Sequence, residues 1–247
     1  MIYLKSPEEI ELIGKSGVIL RDLFVEVHAL IKEGVSTASL DRWVEEFIRD
    51  RQGIPAFKGY RGYPRASCVS VNEEVVHGIP SGRLLRAGDI VSVDVGVKLA
   101  GYVTDAARTF AVGTPSAEAG DLMKVTEYAL ELGVQQLRPG NRVGDIGSAI
   151  QRWVEQHGYS VVRALHGHGV GYFLHEDPAI PNFGKAHKGE LLKEGMVVAI
   201  EPMVNLGDAE VEVLADNWTV VARDHRLSAH FENTVAIVNG QPQVLTA

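Results

Sequence analysis

Four carboxylates stand among strand-forming neighbours where a buried strand would otherwise carry apolar side chains. Asp94 lies within Val91-Ser92-Val93-Asp94-Val95-Gly96-Val97, Asp105 follows Tyr102-Val103-Thr104, Glu201 ends Val197-Val198-Ala199-Ile200, and Glu232 precedes Asn233-Thr234-Val235-Ala236-Ile237-Val238. An unpaired buried carboxylate is costly, so each needs a compensating partner. A His-Gly-His-Gly run at 166 to 169, with His175 beyond it, supplies imidazoles, and the glycines flanking His168 let the backbone approach closely. One such Asp alone reads as a turn residue or a partner for Arg108. Four with a histidine cluster read as a divalent metal centre. His28, His157, His187 and His225 are isolated and read as ordinary core or surface side chains.

Other chemistries find little support. His175-Glu176-Asp177-Pro178-Ala179 lacks the second histidine of the helical zinc-protease motif, and Gly167-His168-Gly169-Val170-Gly171-Tyr172 lacks the third glycine of a dinucleotide fingerprint. Ser81 and Ser228 sit in no nucleophile-elbow context.

The elements that must position these groups are legible as periodicities. Ser6-Pro7-Glu8-Glu9 has a capping-box layout and opens a helical pattern through Ile10, Ile13, Leu20, Phe24, Val27 and Ile31 that is expected to end near Gly34. A second helix is expected from Thr37 to Gly53, a third from Ser116 to Pro139, and a fourth from Val143 to Gly158. Strands are expected at 67 to 71, 89 to 97 and 102 to 112, then near Val161 and at 196 to 200, 209 to 214, 219 to 222 and 231 to 238. The order helix, helix, strands thus occurs twice. Aligning Gly34 on Gly140 superposes Leu40, Val44, Phe47 and Ile48 on Ile146, Ile150, Trp153 and Val154, a match that amphipathic helices also produce by chance. Helices and strands in separate runs predict an α+β fold, one domain over 1–247 with halves of about 1–113 and 114–247. A tight turn at Leu99-Ala100 would set Asp94 directly opposite Asp105, with Cβ atoms roughly 5 Å apart.

Composition bounds the partners. The chain has 247 residues and a formal charge of -8, which argues against a protein that holds nucleic acid by neutralising phosphates. The single cysteine, Cys68, excludes an intramolecular disulfide, so a reducing cytoplasmic setting is expected. The longest apolar runs are strand-sized, and no membrane segment or export signal is expected.

Taken together, Asn72-Glu73-Glu74-Val75-Val76-His77-Gly78-Ile79-Pro80, the Asp94/Asp105 pair, Gly167-His168-Gly169 with His175-Glu176-Asp177-Pro178, Ile200-Glu201-Pro202-Met203, and Ser228-Ala229-His230-Phe231-Glu232-Asn233-Thr234 resemble the type I methionine aminopeptidases of metallopeptidase family M24. The resemblance runs the whole chain and fits the short bacterial form. It implies the pseudo-twofold pita-bread fold, a curved antiparallel sheet with two helix pairs outside, and hence the duplication.

It also implies a ligand set for two divalent ions (Co, Mn, Fe or Zn) and allows a nearby monovalent cation. Asp94 would bind one ion, His168 and Glu201 the other, and Asp105 and Glu232 would bridge them. A bridging hydroxide would attack the peptide carbonyl, Glu201 would relay the proton, His175 would stabilise the carbonyl oxygen, and His77 would bond the scissile amide. The implied methionine pocket comprises Tyr60, Tyr63, Cys68 and Trp218 with Phe57 and Leu174. Phe57 stands where such enzymes frequently have Cys, Leu174 where Phe is usual, and Tyr172 where Arg is common. The first two alter the pocket rim, and Tyr172 alters the support of the Gly-His-Gly loop. The implied activity is removal of the initiator methionine from nascent chains whose second residue is small, by a monomer that meets the ribosome transiently. Cleavage of Xaa-Pro bonds on the same fold, or binding without catalysis, are the alternatives.

Overall fold

Ser6 caps the first helix in the computed structural model, which describes residues 1–247: its hydroxyl accepts from the Glu9 N–H and the Glu9 carboxylate accepts from the Ser6 N–H. Helix α1 spans Pro7–His28, α2 Thr37–Asp50, α3 Ala117–Gln136 and α4 Val143–Gln156. The first ends six residues before Gly34, earlier than its apolar period predicts. Ile31 still packs in the same cluster as Val27, but from a turn. The chain must leave the helix there so that the Gly34 N–H can meet the Leu85 carbonyl at 2.8 Å. Tertiary pairing overrides the local period.

The strands are β1 Ile54–Pro55, β2 Cys68–Val71, β3 Glu74–Val76, β4 Ile90–Leu99, β5 Tyr102–Ala111, β6 Ser160–Val161, β7 Gly167–Gly169, β8 Glu176–Ile180, β9 Val197–Ile200, β10 Met203–Asn205, β11 Val211–Val213, β12 Val220–Ala222, β13 Ser228–His230, β14 Asn233–Val238 and β15 Gln241–Val244. All paired strands run antiparallel, in four hydrogen-bonded groups. β1, β3, β7, β10 and β13 are too short to show alternation and escape the sequence pattern, as do β8 and β15. One apolar cluster joins α1 and α2 to β2 and β4, and a second joins α3 and α4 to β9 and β14. Each helix pair therefore covers one side of the strands. No helix is long and apolar enough to cross a membrane.

The internal symmetry is explicit. α2 and α4 each have 14 residues and start and stop at the offset that aligns Gly34 with Gly140. Leu40 and Ile146, Val44 and Ile150, Ile48 and Val154 are all buried, whereas Trp153, the counterpart of buried Phe47, is only partly so. Gly34 donates to Leu85, and Gly140 donates to Leu192. Counting on from those leucines, Asp94 and Glu201 occupy corresponding places.

The hairpin between β4 and β5 corrects the predicted register. The turn is Ala100-Gly101, with φ of 51° and 92°, so Leu99 pairs with Tyr102, Gly96 with Asp105 and Asp94 with Ala107. A two-residue hairpin turn of this kind needs positive φ at both central positions, which Gly101 adopts readily and branched Leu99 does not. The two aspartates consequently lie diagonally on one face, not opposed. Diagonal neighbours are farther apart, roughly 7–8 Å along the backbone, which leaves room between the carboxylates.

Candidate metal centre

Each carboxylate is delivered by a different stretch of the strand framework. Asp94 lies on β4 between Cys68 of β2 and Ala107 of β5. Asp105 is on β5, Glu201 immediately follows β9, and Glu232 stands between β13 and β14. His168 is the middle residue of β7, and no Cβ fits at either neighbour: at Gly167 it would lie 2.3 Å from the Ala199 oxygen, and at Gly169 2.3 Å from the Asp177 oxygen. The flanking glycines are thus required by close backbone approach.

Asp94, Asp105, His168 and Glu232 are buried, and 14% of the Glu201 side chain is exposed. Donor atoms of Asp105, His168 and Glu232 all lie within 4.8 Å of one another. His168 Nε2 is 3.5 Å from Glu201 Oε1 and 3.9 Å from Asp105 Oδ2. Its Nδ1 lies 2.9 Å from the Gly169 carbonyl, so the Nδ1 proton is used there and the Nε2 lone pair faces the carboxylates.

Oδ1 of Asp94 and of Asp105 and Oε1 of Glu232 are buried with no hydrogen-bond partner. Arg108 does not pair with either aspartate; its guanidinium donates to the Ala107 and Glu232 carbonyls and to Asn233 Oδ1. Without a cation the charges cannot coexist. Burial, then the charges of Asp105 and Glu201, raises the Asp94 pKa well above the usual carboxylate range. Burial raises Asp105 to about 7, and burial followed by neighbouring carboxylates raises Glu201 and Glu232. The same desolvation, with His175 close by, pushes His168 down to about 3. Orphaned oxygens around a neutral imidazole fit a divalent cation and little else.

A cavity of about 160 Å³ opens beside these groups, and all but Arg61 of its 14 lining residues are ones singled out from sequence. Phe57, Tyr63, Cys68 and Leu174 form its buried apolar wall, with Tyr60 and Trp218 partly buried against it. The Trp218 ring meets Tyr63 edge-on at 5.0 Å. Burial pushes the Cys68 thiol pKa up, so it is an uncharged wall. His175 stacks on Tyr60 with centroids 5.2 Å apart, its Nδ1 3.0 Å from the Tyr60 hydroxyl, and burial with Arg61 lowers its pKa to about 4. His77 lines the same cavity near Trp218 at φ 60°, and burial lowers its pKa also.

One buried histidine escaped sequence reasoning. His230 is 1% exposed, neither ring nitrogen has a hydrogen-bond partner, and its Nε2 lies 3.4 Å from Glu201 Oε2. Its position two residues before Glu232 was the available signal. His166 turns instead to the Gly167 carbonyl and lines a neighbouring cleft, which shares Arg61, His168 and His175 with this cavity. Tyr172 donates to Glu9 Oε1 at 2.6 Å, tying the Gly-His-Gly loop to α1.

The sequence profile of metallopeptidase family M24 matches residues 11–239. The chain belongs to that family. This M24 chain is 50% identical over 246 residues to methionine aminopeptidase 1 of Bacillus subtilis, covering 100% of the chain and 99% of the relative. The solved methionine aminopeptidase of Thermotoga maritima superposes on the M24 chain with a TM-score of 0.98 at 44% identity, covering 100% and 99%. A prolidase from Pyrococcus furiosus matches with a TM-score of 0.81 at 25% identity, and the M24 chain spans 65% of that protein. Full-length agreement places the chain among the methionine aminopeptidases, which are metallo-exopeptidase hydrolases.

Proposed function

We propose that the chain removes methionine from the amino terminus of nascent polypeptides whose second residue is small, using two divalent ions held by Asp94, Asp105, His168, Glu201 and Glu232. The observation that carries the proposal is the set of buried carboxylate oxygens without partners, opening on an apolar, sulfur-containing cavity. That cavity is well under the roughly 300–1,000 Å³ of pockets for drug-sized ligands, room for one residue rather than a run of peptide. A flexible thioether suits a wall of Phe57, Tyr63, Cys68, Leu174 and Trp218.

Bound divalent ions would supply Lewis acidity toward a peptide carbonyl and acidify a water. The protein's own groups do the rest. Glu201, whose Oε1 lies 3.5 Å from His168 Nε2, would take the proton released by the acidified water and pass it to the leaving amine. The Tyr60 hydroxyl can donate to His175 Nδ1, which leaves the Nε2 proton for the carbonyl oxygen. His77, which also lines the cavity, would bond the scissile amide. Mn, Fe, Co and Zn all suit the donor set, with a monovalent cation nearby. A cytoplasmic monomer acting on chains as they leave the ribosome fits this chemistry.

The test is cleavage of Met-Ala-Ser, Met-Gly and Ala-Pro-Ala peptides by protein loaded with each metal in turn. Release of methionine from the first two supports the proposal, and preference for Ala-Pro-Ala replaces it with Xaa-Pro chemistry.

A further inference from the structure

His175, whose ring centre lies 4.2 Å from that of His168, stands on a turn that follows Gly171. Glu176, the next residue, holds it. Its Oε1 accepts the N–H groups of Tyr172 at 2.6 Å and Phe173 at 2.9 Å, and its Oε2 pairs with the Lys5 ammonium. The pair is sealed from solvent, with side-chain exposures of 1% for Lys5 and 0% for Glu176. Lys5 is itself anchored. Its N–H donates to the Gly195 carbonyl at 2.8 Å, and its ammonium lies 5.2 Å from the centre of the Tyr172 ring. The Tyr3 ring meets Tyr172 edge-on at 5.3 Å, and the Val103 N–H donates to the Gly171 carbonyl at 2.7 Å.

A buried ion pair gives little stability beyond what a well-packed apolar pair would provide. Neither residue lines the cavity beside the carboxylates, although Glu176 borders the neighbouring cleft together with His168 and His175. We propose that the Lys5–Glu176 pair positions His175, so that the chain's amino-terminal segment sets the geometry of the group facing the substrate carbonyl. The inference rests on the proposed function, in which His175 meets that carbonyl. Lys5 and Glu176 are positioning residues, and a displacement of about 1 Å at a reacting group can cost on the order of 100-fold in rate.

The test uses metal-loaded parent, Lys5→Met, His175→Ala and the combination of the two, with kcat and KM on Met-Ala-Ser, metal content, and amide exchange across residues 171 to 177. Lys5→Met is expected to lower kcat about 10- to 100-fold with KM within about twofold and metal content unchanged. In the His175→Ala background it is expected to add nothing. Exchange at Tyr172 and Phe173 is expected to quicken. Unchanged kcat, or the same loss in both backgrounds, overturns the proposal, because a merely structural role would act with or without His175. If Lys5→Met does not fold, Lys5→Met with Glu176→Gln leaves no unpaired charge and carries the same expectations. If the parent cleaves no methionyl peptide, the functional proposal fails, and unaltered exchange in the variant would overturn the positioning role separately.

Discussion

Thr234 and Asp105 bond to each other reciprocally across the join between the two halves: the Asp105 N–H donates to the Thr234 hydroxyl at 2.9 Å, and that hydroxyl donates to the Asp105 carbonyl at 2.8 Å. Thr109 and His230 do the same, at 3.0 Å and 2.8 Å. Between the two pairs, Ala107 and Glu232 exchange backbone bonds with each other. A single shift in numbering carries Asp105 to His230, Ala107 to Glu232 and Thr109 to Thr234. The pseudo-twofold axis thus passes beside Glu232, and the two threonines lock the segments that carry Asp105 and Glu232.

Thr234→Val would leave the buried Asp105 N–H without an acceptor. A cost of about 1–3 kcal/mol is expected, seen as a lower urea midpoint at unchanged slope. Metal affinity is expected to fall about 10- to 100-fold, because Asp105 loses its fixed backbone. Calorimetric titration of metal into parent and variant measures this, and parental affinity would contradict it.

The metal-free protein is expected to lose stability above neutral pH. Asp105 titrates near 7 in place of its ordinary 3.8, so the stability it contributes is complete below 3.8 and is lost as pH climbs through 7. His168, lowered to about 3, acts oppositely: its contribution is present above 6.5 and is lost as pH falls through 3. The two oppose each other between about pH 4 and 6.5. Above that window only carboxylates act, and Asp94, Glu201 and Glu232 are all raised with Asp105. Scanning calorimetry from pH 6.5 to 8.5 is expected to show Tm falling in chelator and holding with metal. A constant gap between the two would contradict this.

His230→Gln is expected to lower activity about 10- to 100-fold with metal still bound, since the His230 ring lies against Glu201 and burial holds it neutral. Metal analysis alongside kcat separates this from ligand loss. Parental kcat would show that His230 is only packing.

The four buried carboxylates were legible because charge in an apolar strand has few physical explanations, and the four helices because their apolar periods run for several turns. What escaped was decided at a distance. The register of the β4–β5 hairpin depended on which two residues could take positive φ, and shifting it moved Asp94 from opposite Asp105 to opposite Ala107. Helix α1 stopped early because Gly34 answers to Leu85. His230 offered only its place two residues before Glu232, since its burial and its contact with Glu201 exist only once β10 and β13 pair.

Phe57 and Gly96 are expected to be interdependent. A Cβ at position 96 would lie 2.7 Å from Phe57 Cε1, and Gly96 pairs with Asp105. Gly96→Ala is expected to displace the ring and reduce kcat/KM for methionyl peptides, and adding Phe57→Cys is expected to restore part of the loss. A double-mutant cycle reads the coupling, about 0.5–3 kcal/mol for touching residues. Strict additivity would contradict the contact.

The most direct measurement compares metal-loaded parent with Asp105→Ala on Met-Ala-Ser while metal content is determined. Methionine release by the parent with two equivalents bound, and loss of both release and bound metal in the variant, is the expected result. No release by a fully loaded parent, or equal release by the variant, would contradict the assignment of these carboxylates to a catalytic metal centre.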